Sequence, residues 1–465
     1  MESGLGAGGS VGGLSAGVAR VVITPPVGIA MIGFAGRAPS NGVHDDLLAT
    51  ALVLAERTPS DDPDGRVALV TLDLLGMQGE AITAAIKAQV EQVTGIPSSR
   101  VFLSCSHTHY GPVVSPPQGG EGGEQAFAYQ AALPHHVAGV VAMANAARRP
   151  VTLATGRGSV RIGINRRERR PDGRIILGQN PEGALDTEVQ VWRLDTADGD
   201  PVEPGAPLGW LRRAPEPVAV LVNYACHPVS LAGQMRLLSA DFPGVARAVV
   251  EQLVGGVALY VQGACGNINP GLMGADWKHP LRLGRALGAE ATRIALLAQP
   301  IDGTPLRVAR ETVAFPELLP SSKEAGQAQI ERLEAERERL AAQEGNDGAK
   351  WWNKRGLERA HQAMAALETG EPLVVAGELS VLRLGDAALA FNPTELFCET
   401  GMAIKAASPF PWTAIAGYTD GSAGYFPTRA SYPEGGYEVD RACRVAPEAG
   451  ELLQATTIRL LQSVR

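Results

Sequence analysis

The sequence predicts an α/β protein: a layered, mixed β-sheet domain with flanking helices and an inserted helical hairpin. Three observations carry that expectation. Residues 67–76, 80–92 and 101–105 read as strand, helix and strand, the order that stacks helices on a sheet. Apolar runs of strand length recur at residues 217–224 and 257–262, each stopped by small or polar residues. Residues 323–343 and 349–368 are charged, proline-free and helical in pattern, and Gly345-Asn-Asp-Gly348 joins them as a hairpin.

In chain order, residues 1–16 are rich in glycine and carry no basic or apolar signal segment, so a flexible tail is expected. Residues 17–24 form a strand stopped by Pro25 and Pro26. Residues 47–55 are apolar throughout and read as buried, and a Pro/Asp turn at residues 59–65 leads into the next strand. Gly119-Gly-Glu-Gly-Gly-Glu124 is expected to be a loop, and residues 126–149 a helix. His135 and His136 follow Pro134 near that helix's expected start, in surface or capping roles.

Arg166, Arg167, Arg169 and Arg170 crowd a short excursion bounded by Gly163-Ile-Asn and Pro-Asp-Gly. Such a run reads either as a solvated face or as a site for an anion or developing oxyanion. Residues 186–194 alternate as a half-buried strand would, residues 245–253 form an amphipathic helix, and residues 378–391 form a hairpin turning at Gly385-Asp386. The helical hairpin, residues 320–370, is an insertion without a catalytic signature, expected to serve as a lid or as the arm of a homo-oligomer; its His361 reads as a surface residue.

Length alone allows two or three domains, but the pattern is read as one, residues 17–465. A net charge of −8 and a pI near 5.6, with no basic run, argue against nucleic acid as a partner. No window is long and apolar enough for a membrane span. Five cysteines without framework spacing read as reduced thiols, and the expected location is the cytoplasm.

The chemistry gathers where strands end. Val101–Cys105 runs into Ser106-His107-Thr-His109-Tyr-Gly-Pro112, residues 217–224 into Ala225-Cys-His227-Pro, and residues 387–391 into Asn392-Pro-Thr-Glu395. Side chains two apart on extended backbone point the same way, so His107 and His109 are expected to face one cavity. Two imidazoles and a carboxylate are a standard ligand set for catalytic zinc, although a core histidine or a helix-capping Glu395 is the plainer reading of each alone.

On these motifs, with Asn165-Arg166, Gly266-Asn-Ile-Asn-Pro270 and two tyrosines twelve residues apart (Tyr425 and Tyr437), the chain resembles the catalytic domain of the neutral/alkaline (non-lysosomal) ceramidases. The resemblance implies one zinc per chain on His107, His227, Glu395 and Tyr425. It makes His109 a near-site proton carrier or a group supporting the ligands, and gives Arg166 and Tyr437 the scissile carbonyl and its oxyanion. Asn267 and Asn269 stand in the turn where the family has a serine and are read as substrate-binding. That departure, with no signal segment and too few residues after Tyr437 for the family's immunoglobulin-like domain, makes ceramide an unexpected cellular substrate.

The expected activity is therefore hydrolysis of a small-molecule amide (N-acyl) bond by metal-activated water. A carboxylic-ester or lactone hydrolase, or a non-catalytic binding module of the same fold, is the alternative. An amidohydrolase barrel is disfavoured, since it needs further strand-end histidines after His109 and only His227 qualifies.

Overall fold

Alternation within single strands decides the architecture. In Leu48–Glu56, Ala49, Ala51 and Val53 join one apolar core while Leu52 and Leu54 join another. In Val101–Cys105, Val101, Leu103 and Cys105 face the first core and Phe102 the second. A strand apolar on both faces must be covered on both. The computed structural model describes residues 13–58, 60–114, 122–197, 215–343 and 347–465. Residues 1–12 of the expected tail, Pro59, the loop residues 119–121 and most of the expected hairpin joint lie outside the described residues.

The large sheet has nine strands. Its order is Val257–Gln262, Pro217–Tyr224, Glu188–Thr196, Arg149–Ser159, Leu14–Val22, Leu48–Glu56, Arg66–Leu72 and Val101–Cys105, with Gln299–Ile301 added beside Arg149–Ser159. The pairings at the two ends of this order are parallel and the others antiparallel. Helices Glu80–Thr94, Gly123–Ala146, Asp241–Val254 and Lys278–Leu297 cover one face through Ile86, Val137, Phe242 and Leu287. The other face packs on a second sheet, Leu306–Pro316, Val374–Leu384, Ala387–Phe391 and Trp412–Ala416. Phe102 and Phe391 meet across the two sheets with ring centroids 4.4 Å apart. Helices Cys398–Ala407 and Ala449–Ser463 close the far side through Ile404, Leu453 and Leu461. The layers run helix, sheet, sheet, helix.

Several boundaries differ from the sequence expectation. The first strand already pairs at Leu14, opposite Glu56. Pro134 lies well inside helix Gly123–Ala146, not at its start, because the buried stripe of Tyr129, Leu133, Val137, Val140 and Val141 runs through it. His135 and His136 are exposed there. The arginine run forms strand Gly163–Arg169 of a small three-stranded sheet with Ile175–Asn180 and Ile268–Pro270. Both hairpin helices form, as Lys323–Ala341 and Asp347–Thr369. Among the described residues, no helix is long and apolar enough to cross a membrane.

One turn ties the strand ends together. Across residues 417–420, Gly417 N–H donates to Gln262 (2.9 Å), Thr419 N–H to Asn392 (3.0 Å) and Asp420 N–H to Leu103 (2.9 Å), while Tyr418 C=O accepts from Cys105 (3.1 Å). Three strands from two sheets thereby end at one place.

Candidate metal centre

His107 leaves its strand in a left-handed conformation (φ 66°), as do Tyr418 (54°) and Asp420 (61°) in the tying turn. A non-glycine residue held there costs about 1–2 kcal/mol, so the packing around it must enforce the geometry. His107 and His109 therefore converge through a turn, not through the extended backbone expected.

Each imidazole is oriented by a backbone carbonyl. Nδ1 lies 2.6 Å from Leu75 O for His107, 3.1 Å from Gly33 O for His109, and 2.7 Å from Cys265 O for His227. A carbonyl only accepts, so Nδ1 carries the proton and each Nε2 offers a lone pair. Gly33 (φ 109°) has to be glycine, because a Cβ would lie 2.8 Å from the His109 ring. A Cβ on Gly266 would lie 2.4 Å from Glu395 O, so that turn approaches Glu395 only as glycine.

The Nε2 atoms of His107 and His109 are 3.3 Å apart. Glu395 Oε2 lies 3.1 Å from His227 Nε2 and 3.5 Å from His107 Nε2. Nε2 lone pairs and a carboxylate facing one another repel unless a cation lies among them. Zinc bonds of about 2.0–2.1 Å set tetrahedral ligand–ligand edges of roughly 3.3 Å, so the donors fit such an ion. The imidazoles of His107, His109 and His227 form the one histidine-rich cluster among the described residues whose donor atoms lie within 4.8 Å of one another. His109, expected as a proton carrier or a supporting group, is thus within ligand reach.

Glu395 sits in strand Thr394–Leu396, which pairs in parallel with Gly424–Phe426 so that Glu395 is opposite Tyr425. It does not cap the following helix, whose preceding residue is Phe397. Arg166, 4% exposed, spends its fork on three groups: Nε to Glu438 (2.7 Å), Nη1 to Asn269 Oδ1 (3.2 Å) and Nη2 to the Tyr425 hydroxyl (2.9 Å). Arg167 donates to the other Glu438 oxygen at 2.9 Å. Arg169 and Arg170 are exposed, so the run divides into a buried pair and a solvated pair. Tyr437 packs on Tyr425 with centroids 5.9 Å apart, and the Arg166 guanidinium carbon lies 5.8 Å from the Tyr437 ring. Asn267 is committed to the scaffold, donating to Glu399 (2.8 Å) and accepting from Cys398 N–H (3.0 Å).

Electrostatics follow burial and neighbours. Burial pushes the Glu395 carboxyl up, but His107 and His227 outweigh it and hold the group well below the carboxylate range. Burial, reinforced by His107 and His227, holds His109 well below the ordinary imidazole value. Burial and then Arg166 bring His227 down to about 4. Burial lifts Tyr425 well above the usual phenol value, with Arg166 opposing and Glu395 adding, and lifts Tyr437 to about 12. Burial thus disfavours charge on the His109 and His227 imidazoles and on both phenols, while Glu395 stays a carboxylate.

Sequence reasoning passed over two contributors. Tyr418 stacks on His107 (centroids 3.9 Å) and contacts Cys265 Sγ through its hydroxyl at 3.1 Å. Glu438 is the buried counter-charge that two adjacent buried arginines require. The second was traceable, since an acid stands directly beside Tyr437.

This is a four-layer α/β protein with a buried histidine–carboxylate centre at its strand ends. No family model and no curated protein matches the sequence. Two solved structures align over 97% of the chain, both at 19% identity: a ceramidase complexed with C2 (TM-score 0.71, 75% of that chain) and a neutral ceramidase from Pseudomonas aeruginosa (TM-score 0.70, 74% of that chain). The fold is that of the neutral ceramidases.

Proposed function

We propose that this chain is a zinc-dependent hydrolase that cleaves an amide (N-acyl) bond of a small molecule, with His107, His227, Glu395 and Tyr425 holding one metal ion. The observation that carries the reading is the convergence of carbonyl-oriented imidazoles, lone pairs inward, on the Glu395 carboxylate. Zinc bound there would lower the pKa of a water to about 7 and polarise the scissile carbonyl.

The chain's own residues supply the remainder. Arg166, fixed by Glu438 and aimed at the Tyr425 hydroxyl, offers charge to the developing oxyanion, and Tyr437, held neutral, donates a hydrogen bond to it. His109, whose Nδ1 is held by Gly33 O and whose Nε2 faces His107, takes up a proton and returns it to the leaving amine. Asn269, oriented by Arg166, is the turn residue placed to meet substrate. The five buried, unpaired cysteines fit a reducing cytoplasm, and ceramide is not the substrate we assign in the cell.

Matched amide and ester substrates sharing one acyl group test the reaction. Turnover of the amide by the zinc-loaded protein, lost in His107→Ala, is the expected result. Turnover of the ester alone moves the assignment to an esterase or lactonase. Activity and metal both surviving in His107→Ala refute the site.

A further inference from the structure

The hairpin insertion is docked against the metal centre. Helix Asp347–Thr369 starts beside Ala35, so close that a Cβ on Gly348 would lie 2.7 Å from Ala35 O. Ala35 follows Gly33, which orients His109, and Phe34, whose ring centroid is 5.3 Å from that imidazole. One turn further along the helix, Trp352 packs edge-on against Tyr437 (6.0 Å, 87°). Beyond it, Arg359 Nη1 donates to Arg441 O (3.2 Å) and Cys443 O (3.3 Å), fastening the helix to the segment that carries Tyr437.

The result is a continuous series of rings. Tyr425 to Tyr437, Tyr437 to Trp352 and Trp352 to Trp351 are separated by 5.9, 6.0 and 4.8 Å at interplanar angles of 78°, 87° and 85°. The series begins at the buried Tyr425 phenol and ends at Trp351, which is 43% exposed and is braced by Arg355 at 5.0 Å. In a chain with only 5% aromatic residues, four of them run from solvent to the reacting centre.

We infer that Trp352, backed by Trp351, forms a subsite for a ring-bearing, apolar acyl group, which makes the insertion the element that selects the substrate. The inference rests on the amide-hydrolase reading above. On that reading the leaving amine lies on the side of His109, Gly33, Phe34 and Arg37, and the acyl side meets Tyr437 and Trp352. Edge-to-face surfaces reward a planar ring beyond its buried area, and an indole is stiff enough to keep its orientation without the substrate.

Two readouts test it. In the first, hydrocinnamamide and acetamide are titrated calorimetrically into the metal-free protein, a binding assay that needs no turnover. Wild type should bind hydrocinnamamide and not acetamide, Trp352→Ala should weaken binding roughly tenfold, and Trp352→Phe should restore part of it. In the second, kcat/KM is compared for hydrocinnamoyl and acetyl amides of one fluorogenic amine. Wild type should favour hydrocinnamoyl by about tenfold or more, the preference collapsing in Trp352→Ala through KM and falling partly in the exposed variant Trp351→Ala. Equal losses on both acyl groups, or no hydrocinnamamide binding by wild type, overturn the subsite. Binding that depends on Trp352 without any turnover would uphold the subsite and sink the hydrolase reading instead.

Discussion

Glu395 and Tyr425 are register partners in a parallel pair of three-residue strands, and this small ladder sets a carboxylate and a phenol side by side at the candidate metal centre. Thirty residues of chain separate them, so neither local spacing nor periodicity couples the two. Backbone hydrogen bonding does, and it places the Tyr425 hydroxyl against Arg166.

Metal content should follow Glu395. Elemental analysis of the wild type should find about one zinc per chain, falling sharply in Glu395→Gln. His109→Asn should keep the metal and lose turnover if that imidazole is a proton carrier. Loss of zinc in His109→Asn would instead make it a ligand, consistent with its 3.3 Å approach to His107.

Arg166→Lys should not rescue Arg166→Ala. One ammonium cannot serve Glu438, Asn269 and the Tyr425 hydroxyl, as the guanidinium fork does. Both variants should lower kcat by roughly 10²–10³ with zinc content unchanged, the range for a lost oxyanion donor. Wild-type kcat in Arg166→Lys would remove the residue from the reaction.

Glu438→Gln leaves Arg166 and Arg167 buried beside each other without their shared counter-charge. Breaking a buried pair this way costs about 3–5 kcal/mol, which urea unfolding should register as a lowered midpoint. An unchanged midpoint would show that the arginines re-pair elsewhere.

Phe391→Ala should cost a similar amount, about 3–5 kcal/mol, by emptying the contact with Phe102 that joins the two sheets. A loss under about 1 kcal/mol would mean that the sheets close over the gap.

Asp241 offers a pH test outside the proposed ligand set. Burial raises its carboxyl to about 6 from 3.8, against hydrogen bonds from Ser230 and Phe242 that pull it down, and the nearby Asp45 charge adds to the rise. Between those values the folded state keeps a proton that the unfolded chain has lost. This group's contribution to stability is therefore fully present below the unfolded pKa and is lost as pH rises through the window. The urea midpoint of Asp241→Asn relative to wild type should rise across that interval and level off above it. A constant difference at every pH would show that the carboxyl titrates normally.

The sequence alone determined the layering, because strands apolar on both faces and helices apolar on one can bury their surfaces in few ways. It also singled out His107, His227 and Glu395 by their places at strand ends, and Arg166, Tyr425 and Tyr437 through the resemblance that the motifs carry. Tertiary structure decided what local patterns cannot encode. It turned an arginine run into one buried pair and one solvated pair, since Glu438 reaches only Arg166 and Arg167. It carried helix Gly123–Ala146 through Pro134, since packing along that stripe outweighs the penalty of proline. It brought the inserted hairpin to Tyr437, a contact between residues far apart in the chain that only the closed surface of the folded domain creates.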